Sequence, residues 1–380
     1  MKLVVNASNI VVGGGIQVSL SFIEELKKFK ENEYHLFLSA QVSKQIEAND
    51  FPENFYFYFF NVSPSSLTKG FKVRKELSRL ERIINPDLVF TVFGPAYWKP
   101  KTLHVSGFAN GWCYNPNSLA HKRLRLDKRI KSITTTFIKN VEIKEADFLI
   151  VETEDARRKI NRFIKIPGEK IFVVGNTYHP VYGNYLSNTS ENSCNKDDAF
   201  KLLVLSAFYP HKNLEIINSI IPILDRKTKR KVVFYLTISE SDFKNNFIVS
   251  ENLINLGPQK VEDCPELYLK SDALFLPTLL ETYSANYPEA MIMKKPIITS
   301  DFDFAKDVCK DAAIYIDPLD PDDIANKIID LSEDYELYLS LIEKGQKRIV
   351  ELETSESRAV KYMNIFHKVS NTELKVNSEL

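Results

Sequence analysis

Two carboxylates eight positions apart carry the clearest chemical signal in this chain: Glu281 and Glu289, in the segment 280–290, LETYSANYPEA. Proline is excluded from helix interiors and favoured at the first helical position, so Pro288 predicts a helix that starts there. Glu289 then falls in its first turn and Glu281 on the loop before it. Free N–H groups and the positive end of the helix dipole would lie beside both carboxylates. That arrangement suits a ligand offering hydroxyls and phosphate together, as a nucleotide sugar does. A glutamate in a first turn also stabilises the dipole by about 0.3–1 kcal/mol with no ligand at all, so the pair takes its weight from its surroundings. Apolar runs at 273–277 and 295–300 flank it. Strand, loop, helix and strand form a Rossmann-like unit, whose ligands bind beyond the carboxyl ends of the strands.

Two further loops have the same placement. Lys212, in the segment 206–214, SAFYPHKNL, follows a strand pattern and opens a helical one. A cation is disfavoured at a helix start, which argues for a task there, such as offsetting charge on a departing diphosphate. Gly13, Gly14 and Gly15 follow the first strand pattern and open the helix that runs to Phe29. Glycine lets backbone N–H groups approach a phosphate or sugar closely, although a plain strand-to-helix turn also uses it.

The order of segments resembles a known family. The runs 271–277 (SDALFLP), Glu281 and Glu289 in E-x7-E spacing, 288–291 (PEAM), 296–300 (PIITS) and 311–318 (DAAIYIDP) are similar to retaining family-4 glycosyltransferases of the GT-B fold, the group 1 glycosyl transferases. The resemblance is specific from about residue 200 to 330. It implies an α/β protein of two Rossmann-like domains facing each other across a cleft, with Glu289 on the donor's ribose hydroxyls and Glu281 near the sugar. Backbone N–H groups of Thr282, Tyr283 and Ser284 would order the donor, Lys212 would offset phosphate charge, and Gly13 to Gly15 would face donor phosphate or acceptor. The chain departs from the family in two places. An arginine usually found a few residues before the lysine is replaced by Phe208, for which Lys306 is a substitute candidate. The histidine expected near the acceptor coincides with Gly107, which leaves His104, His179 and His211 as alternatives. A departing diphosphate can itself accept the acceptor's proton, so no protein base is required. The resemblance implies no metal, and Asp301-Phe302-Asp303, which matches the DxD string of another glycosyltransferase fold, is read as coincidence.

The chain has 380 residues, 44% of them hydrophobic and 26% charged, with 50 Lys and Arg against 50 Asp and Glu. The length suits two cores, and the charge balance gives no global attraction to nucleic acid. Four cysteines, Cys113, Cys194, Cys264 and Cys309, lack CxxC spacing, so neither a disulfide framework nor a zinc site is expected and a reducing cytoplasm fits. No signal peptide or spanning helix is expected.

Strand patterns at 3–5, 34–38, 55–60, 88–92, 102–105, 148–151 and 171–174 alternate with helical ones, as do those at 201–206 and 232–236. That alternation marks parallel α/β sheets. The polar, Asn/Ser-rich stretch 183–199 reads as the linker between a first domain, 1–180, and a second, 199–354, and a final helix near 355–370 is expected to return to the first domain. Residues 122–133, KRLRLDKRIKSI, carry six bases against one acid with apolar positions at 124, 126, 130 and 133. They read either as an ordinary solvated face or as a surface helix resting on anionic lipid. In the second case the acceptor would be a lipid-linked glycan. The expectation is hexose transfer with retention from a UDP- or GDP-sugar to a glycan, in cell-surface polysaccharide or lipopolysaccharide synthesis at the inner face of the membrane. The alternatives are a nucleotide-sugar epimerase of the same fold or an inactive nucleotide-sugar-binding scaffold.

Overall fold

Most strands of this protein are short runs of Val, Leu, Ile and Phe buried on both faces, the composition of parallel strands covered by helices on either side. A computed structural model describes residues 1–186 and 199–378, and these divide into two compact units. The first comprises residues 1–115, 130–176 and 353–380, and the second comprises 116–129 and 177–352. The stretch 116–129 therefore groups with the second unit rather than with the sequence around it. The expected linker lies mainly outside the described residues, although its first residues close the helix Pro180–Leu186.

In the first unit, β1 (Lys2–Ala7), β2 (Glu33–Ser39), β3 (Phe55–Phe60), β4 (Leu88–Thr91), β5 (His104–Gly107), β6 (Phe148–Val151) and β7 (Ile171–Val173) form one parallel sheet in the order β3-β2-β1-β4-β5-β6-β7. All seven expected strands are present. The fifth starts two residues later than its pattern suggests, because Leu103 is buried beside the sheet but precedes the ladder to β4. In the second unit, β8 (Ala199–Val204), β9 (Lys231–Leu236), β10 (Leu253–Asn255), β11 (Ala273–Leu276), β12 (Ile297–Ser300) and β13 (Ile314–Ile316) form a parallel sheet in the order β10-β9-β8-β11-β12-β13. Strand β10 has no clear pattern in the sequence: it is three residues long, at the edge, with Ile254 exposed.

The final helix, Ser355–Ser378, starts at a reciprocal cap in which Thr354 N–H donates to Ser357 Oγ and Ser357 N–H donates to Thr354 Oγ1. It belongs to the first unit and lies against the helix Gly14–Leu26. Phe366 is fully buried, with its ring 4.9 Å from that of Phe90, and Tyr362 lies 5.2 Å from Phe22. Buried Arg358 donates to Asn176 Oδ1 at 2.6 Å and to Ser21 Oγ, so its charge enters the interior with acceptors attached. Replacing Phe366 by Ala is expected to destabilise the first unit by about 3–5 kcal/mol, read as a lower denaturant midpoint. A change below about 1 kcal/mol would show that this helix contributes little to the core.

Candidate functional site

Strand order in the second sheet reverses between β8 and β11, which are neighbours, and ligands of open α/β sheets bind beyond the carboxyl ends of the strands at such a switch point. Lys212 lies on the first loop and Glu281 on the second. Lys212 Nζ pairs with Glu281 Oε2, and both side chains are less than one-fifth exposed. Two further bonds tie the loops: Leu279 N–H donates to His211 O at 2.7 Å, and Asn286 Nδ2 donates to Leu205 O at 2.5 Å. The helix expected directly after Lys212 is interrupted. Pro210–Lys212 forms a 3₁₀ turn, Asn213 takes a left-handed φ of 56°, and regular helix begins only at Ile217–Lys227. Asparagine tolerates that conformation, and its buried amide donates to Pro318 O at 2.7 Å.

The helix carrying Glu289 is Asn286–Ile292, two residues earlier than Pro288 suggested. Proline at the third helical position is still within the turn whose N–H groups have no intrahelical partner, so nothing is lost. Glu289 remains in the first turn but faces inward, 8% exposed. Tyr268 Oη donates to its carboxylate at 3.2 Å, and the Tyr182 hydroxyl is bonded to it as well. Burial raises the Glu289 pKa from 4.5 to about 7, with the two hydroxyls pulling the other way. The two glutamates are therefore different chemical species: Glu281 is an ion-paired carboxylate, and Glu289 is a buried carboxyl that titrates near neutrality.

Among the other candidates, Thr282 N–H turns back to Glu281 Oε1 at 3.4 Å, and Ser284 O accepts from Tyr287 N–H at 3.2 Å. The Tyr283 ring is buried in the core, so that residue can offer a ligand only main chain. Lys306 pairs with Asp301 and lies 5.8 Å from the Tyr315 ring. The same contact occupies one aspartate of the DxD string. Asp301, Asp317, Asp320 and Asp323 line a cavity of about 630 Å³ at the ends of β12 and β13 with Lys327, and this excess of acids over bases disfavours phosphate. His211, stacked on Tyr209, is held near pKa 4 by burial and then by Lys212, so it is neutral at physiological pH. His179 accepts from Val181 N–H at 3.3 Å, and burial lowers its pKa.

A residue that sequence reasoning missed is Arg123. It ends the helix Leu119–Arg123 in the stretch that groups with the second unit, and its Nη1 donates to Asn213 Oδ1, next to Lys212. Nothing local in a basic run distinguishes it, because the pairing spans 90 residues of sequence.

In the first unit, the glycine loop leaves β1, which neighbours β4 at that sheet's own reversal. Gly13 has φ 74°, and the helix Gly14–Leu26 starts without a side-chain cap or a first-turn acid, leaving its N–H groups available. Space is open beside Gly13 and Gly14, whereas Gly15 packs on Ile10 and Phe93. His104 is a buried strand residue bonded to Thr91 Oγ1 at 3.0 Å and held by burial near pKa 4. A Cβ on Gly107 would sit 1.9 Å from Val92 O, so this backbone admits no histidine there.

The buried Glu289 has a stability consequence. Its folded pKa lies above the unfolded value, so the stability associated with it is full below pH 4.5 and is lost as pH rises to about 7. Without nucleotide, the protein is expected to lose about 3 kcal/mol over that window relative to Glu289→Gln. Denaturant unfolding at pH 4.5 and 8 reads it; parallel profiles would show that Glu289 is not a costly buried acid.

Residues 188–348 match the sequence profile of the family described as glycosyl transferases group 1. No curated protein matches the chain by sequence. Solved structures share its fold along nearly the whole chain. A glycosyltransferase from Rickettsia africae is 15% identical with TM-score 0.69, covering 97% of this chain and 98% of its own. WaaG, a glycosyltransferase involved in lipopolysaccharide biosynthesis, is 13% identical with TM-score 0.70, covering 96% and 99%. Anabaena HepE in complex with UDP and glucose is 13% identical with TM-score 0.67, also covering 96% and 99%. The chain thus has two parallel-sheet Rossmann-like domains of the GT-B type, and the match over 188–348 to the group 1 glycosyl transferases supports a glycosyltransferase.

Proposed function

We propose that this enzyme transfers a hexose, with retention of anomeric configuration, from a UDP- or GDP-sugar to a glycan hydroxyl in cell-surface polysaccharide or lipopolysaccharide synthesis. The observation that carries the reading is the Lys212–Glu281 pair at the reversal point of the second sheet, eight residues before buried Glu289. A cation with its own carboxylate partner is positioned before any ligand arrives, and its charge is not quenched by bulk water. Binding of UDP by HepE and the role of WaaG in lipopolysaccharide biosynthesis support the choice of donor and product class.

In this reading Lys212 meets the donor's diphosphate, and Arg123, carried to Asn213 beside it, supplies the second cation in place of the missing arginine. Glu281 stays near the sugar and orients Lys212. Glu289 in its ionised form accepts the ribose hydroxyls. The bond from the anomeric carbon to phosphate oxygen breaks as the acceptor oxygen attacks the same face. The acceptor's proton passes to the departing phosphate oxygen, so neutral His211 is not needed as a base. Main-chain N–H groups at Gly13 and Gly14 serve phosphate or acceptor.

Nucleotide release from a panel of UDP- and GDP-sugars with glycan acceptors tests this. Lys212→Ala is expected to lower kcat about 10²–10³-fold, Arg123→Ala about tenfold, and an α-linked donor should yield an α-linked product by NMR. Inversion would remove the same-face mechanism. Undiminished turnover by Lys212→Ala would remove its role on the diphosphate.

A further inference from the structure

The helix Leu126–Ile143 is built inside out. Leu126, Ile130, Ile133, Phe137 and Val141 recur every three or four residues and so form one stripe along it. A stripe of this kind normally faces a core, yet here these five side chains are 52–73% exposed. The flank beside the stripe, which meets the protein, is largely polar: Asn140 Nδ2 donates to Cys113 O at 3.0 Å, Thr136 and Ser132 are half-buried, and Ile143 is the helix's one buried residue. Charge is as uneven as hydropathy. Lys122, Arg125, Lys128, Arg129 and Lys131 crowd its N-terminal end and the turn before it, against Asp127 alone, while Arg123 is turned to Asn213.

We infer that this helix lies in the surface of an anionic lipid bilayer, with the Ile130–Val141 stripe in the acyl boundary and the basic end among the headgroups. A bilayer satisfies both halves of the pattern at once, since apolar side chains enter its boundary and its negative surface potential attracts the cations. A second copy of the chain fits less well, because two-fold pairing through the basic end would set like charges against each other. The stripe extends well past residue 133, so the contact is longer than the basic run alone suggests. No helix among the described residues is long and apolar enough to cross a membrane, so the attachment is in the plane of the surface. The inference is independent of the donor assignment, and an enzyme held this way would meet an acceptor carried in the same lipid surface.

Cosedimentation of the full chain with phosphatidylcholine vesicles, with and without one-third phosphatidylglycerol, provides the test. Wild type is expected to partition onto the anionic vesicles and to be released by high salt. Ile133→Glu with Phe137→Glu should weaken partitioning at least tenfold, and Lys128→Gln with Lys131→Gln by about 25-fold, at about fivefold per charge removed. Unchanged circular dichroism and nucleotide-sugar turnover with a soluble acceptor would show that the variants are folded. Failure of wild type to bind anionic vesicles overturns the inference, as does binding insensitive to both variants. A wild-type dimer in solution that Phe137→Glu converts to a monomer would assign the stripe to a second copy instead.

Discussion

Both sheets of this protein are subject to one constraint: a parallel sheet wound outward in two directions from its first strand must have a place where neighbouring strands send their loops opposite ways. In the second unit that place lies between β8 and β11, and it is where Lys212 and Glu281 meet. Backbone N–H groups at the loop ends and following helix starts are unpaired within their elements, so the architecture provides polar groups and the sequence only has to add charge. The first unit has the same reversal between β1 and β4, with three glycines in place of charged side chains. One unit thus offers charged groups and the other offers bare backbone.

The two glutamates divide the work by environment rather than by type. Glu281 has a cationic partner, Lys212, and both side chains are mostly shielded from water. Glu289 is enclosed by two tyrosines and destabilises the folded protein once ionised. A residue kept where it costs stability is a functional candidate on physical grounds, and ligand hydroxyls reaching that carboxylate would offset its cost. His104 and His211, one on each unit, are both held near pKa 4 by burial, which makes them weak bases.

Much of this was legible in the sequence, for identifiable reasons. Strands buried on both faces are continuous apolar runs, and the two glutamates with their proline mark a strand-loop-helix boundary to within two residues. Other features were not legible because they depend on distant backbone. The cation beside Asn213 comes from residue 123, and Tyr182 reaches Glu289 from a helix before the second sheet begins. Only the carbonyl of Val92 explains why Gly107 cannot be a histidine. The basic run at 122–133 left two readings open, because a helical stripe does not say which way it faces; the exposure of Ile130, Ile133, Phe137 and Val141 does.

The central claim is that the donor nucleotide is held by the loops leaving β8 and β11. Hydrogen exchange of the whole protein with and without UDP or GDP tests it most directly. The account predicts slowed exchange at 205–213 and 280–290 on binding of the correct nucleotide. Saturating nucleotide that leaves both segments unchanged while protecting another part of the chain would contradict it.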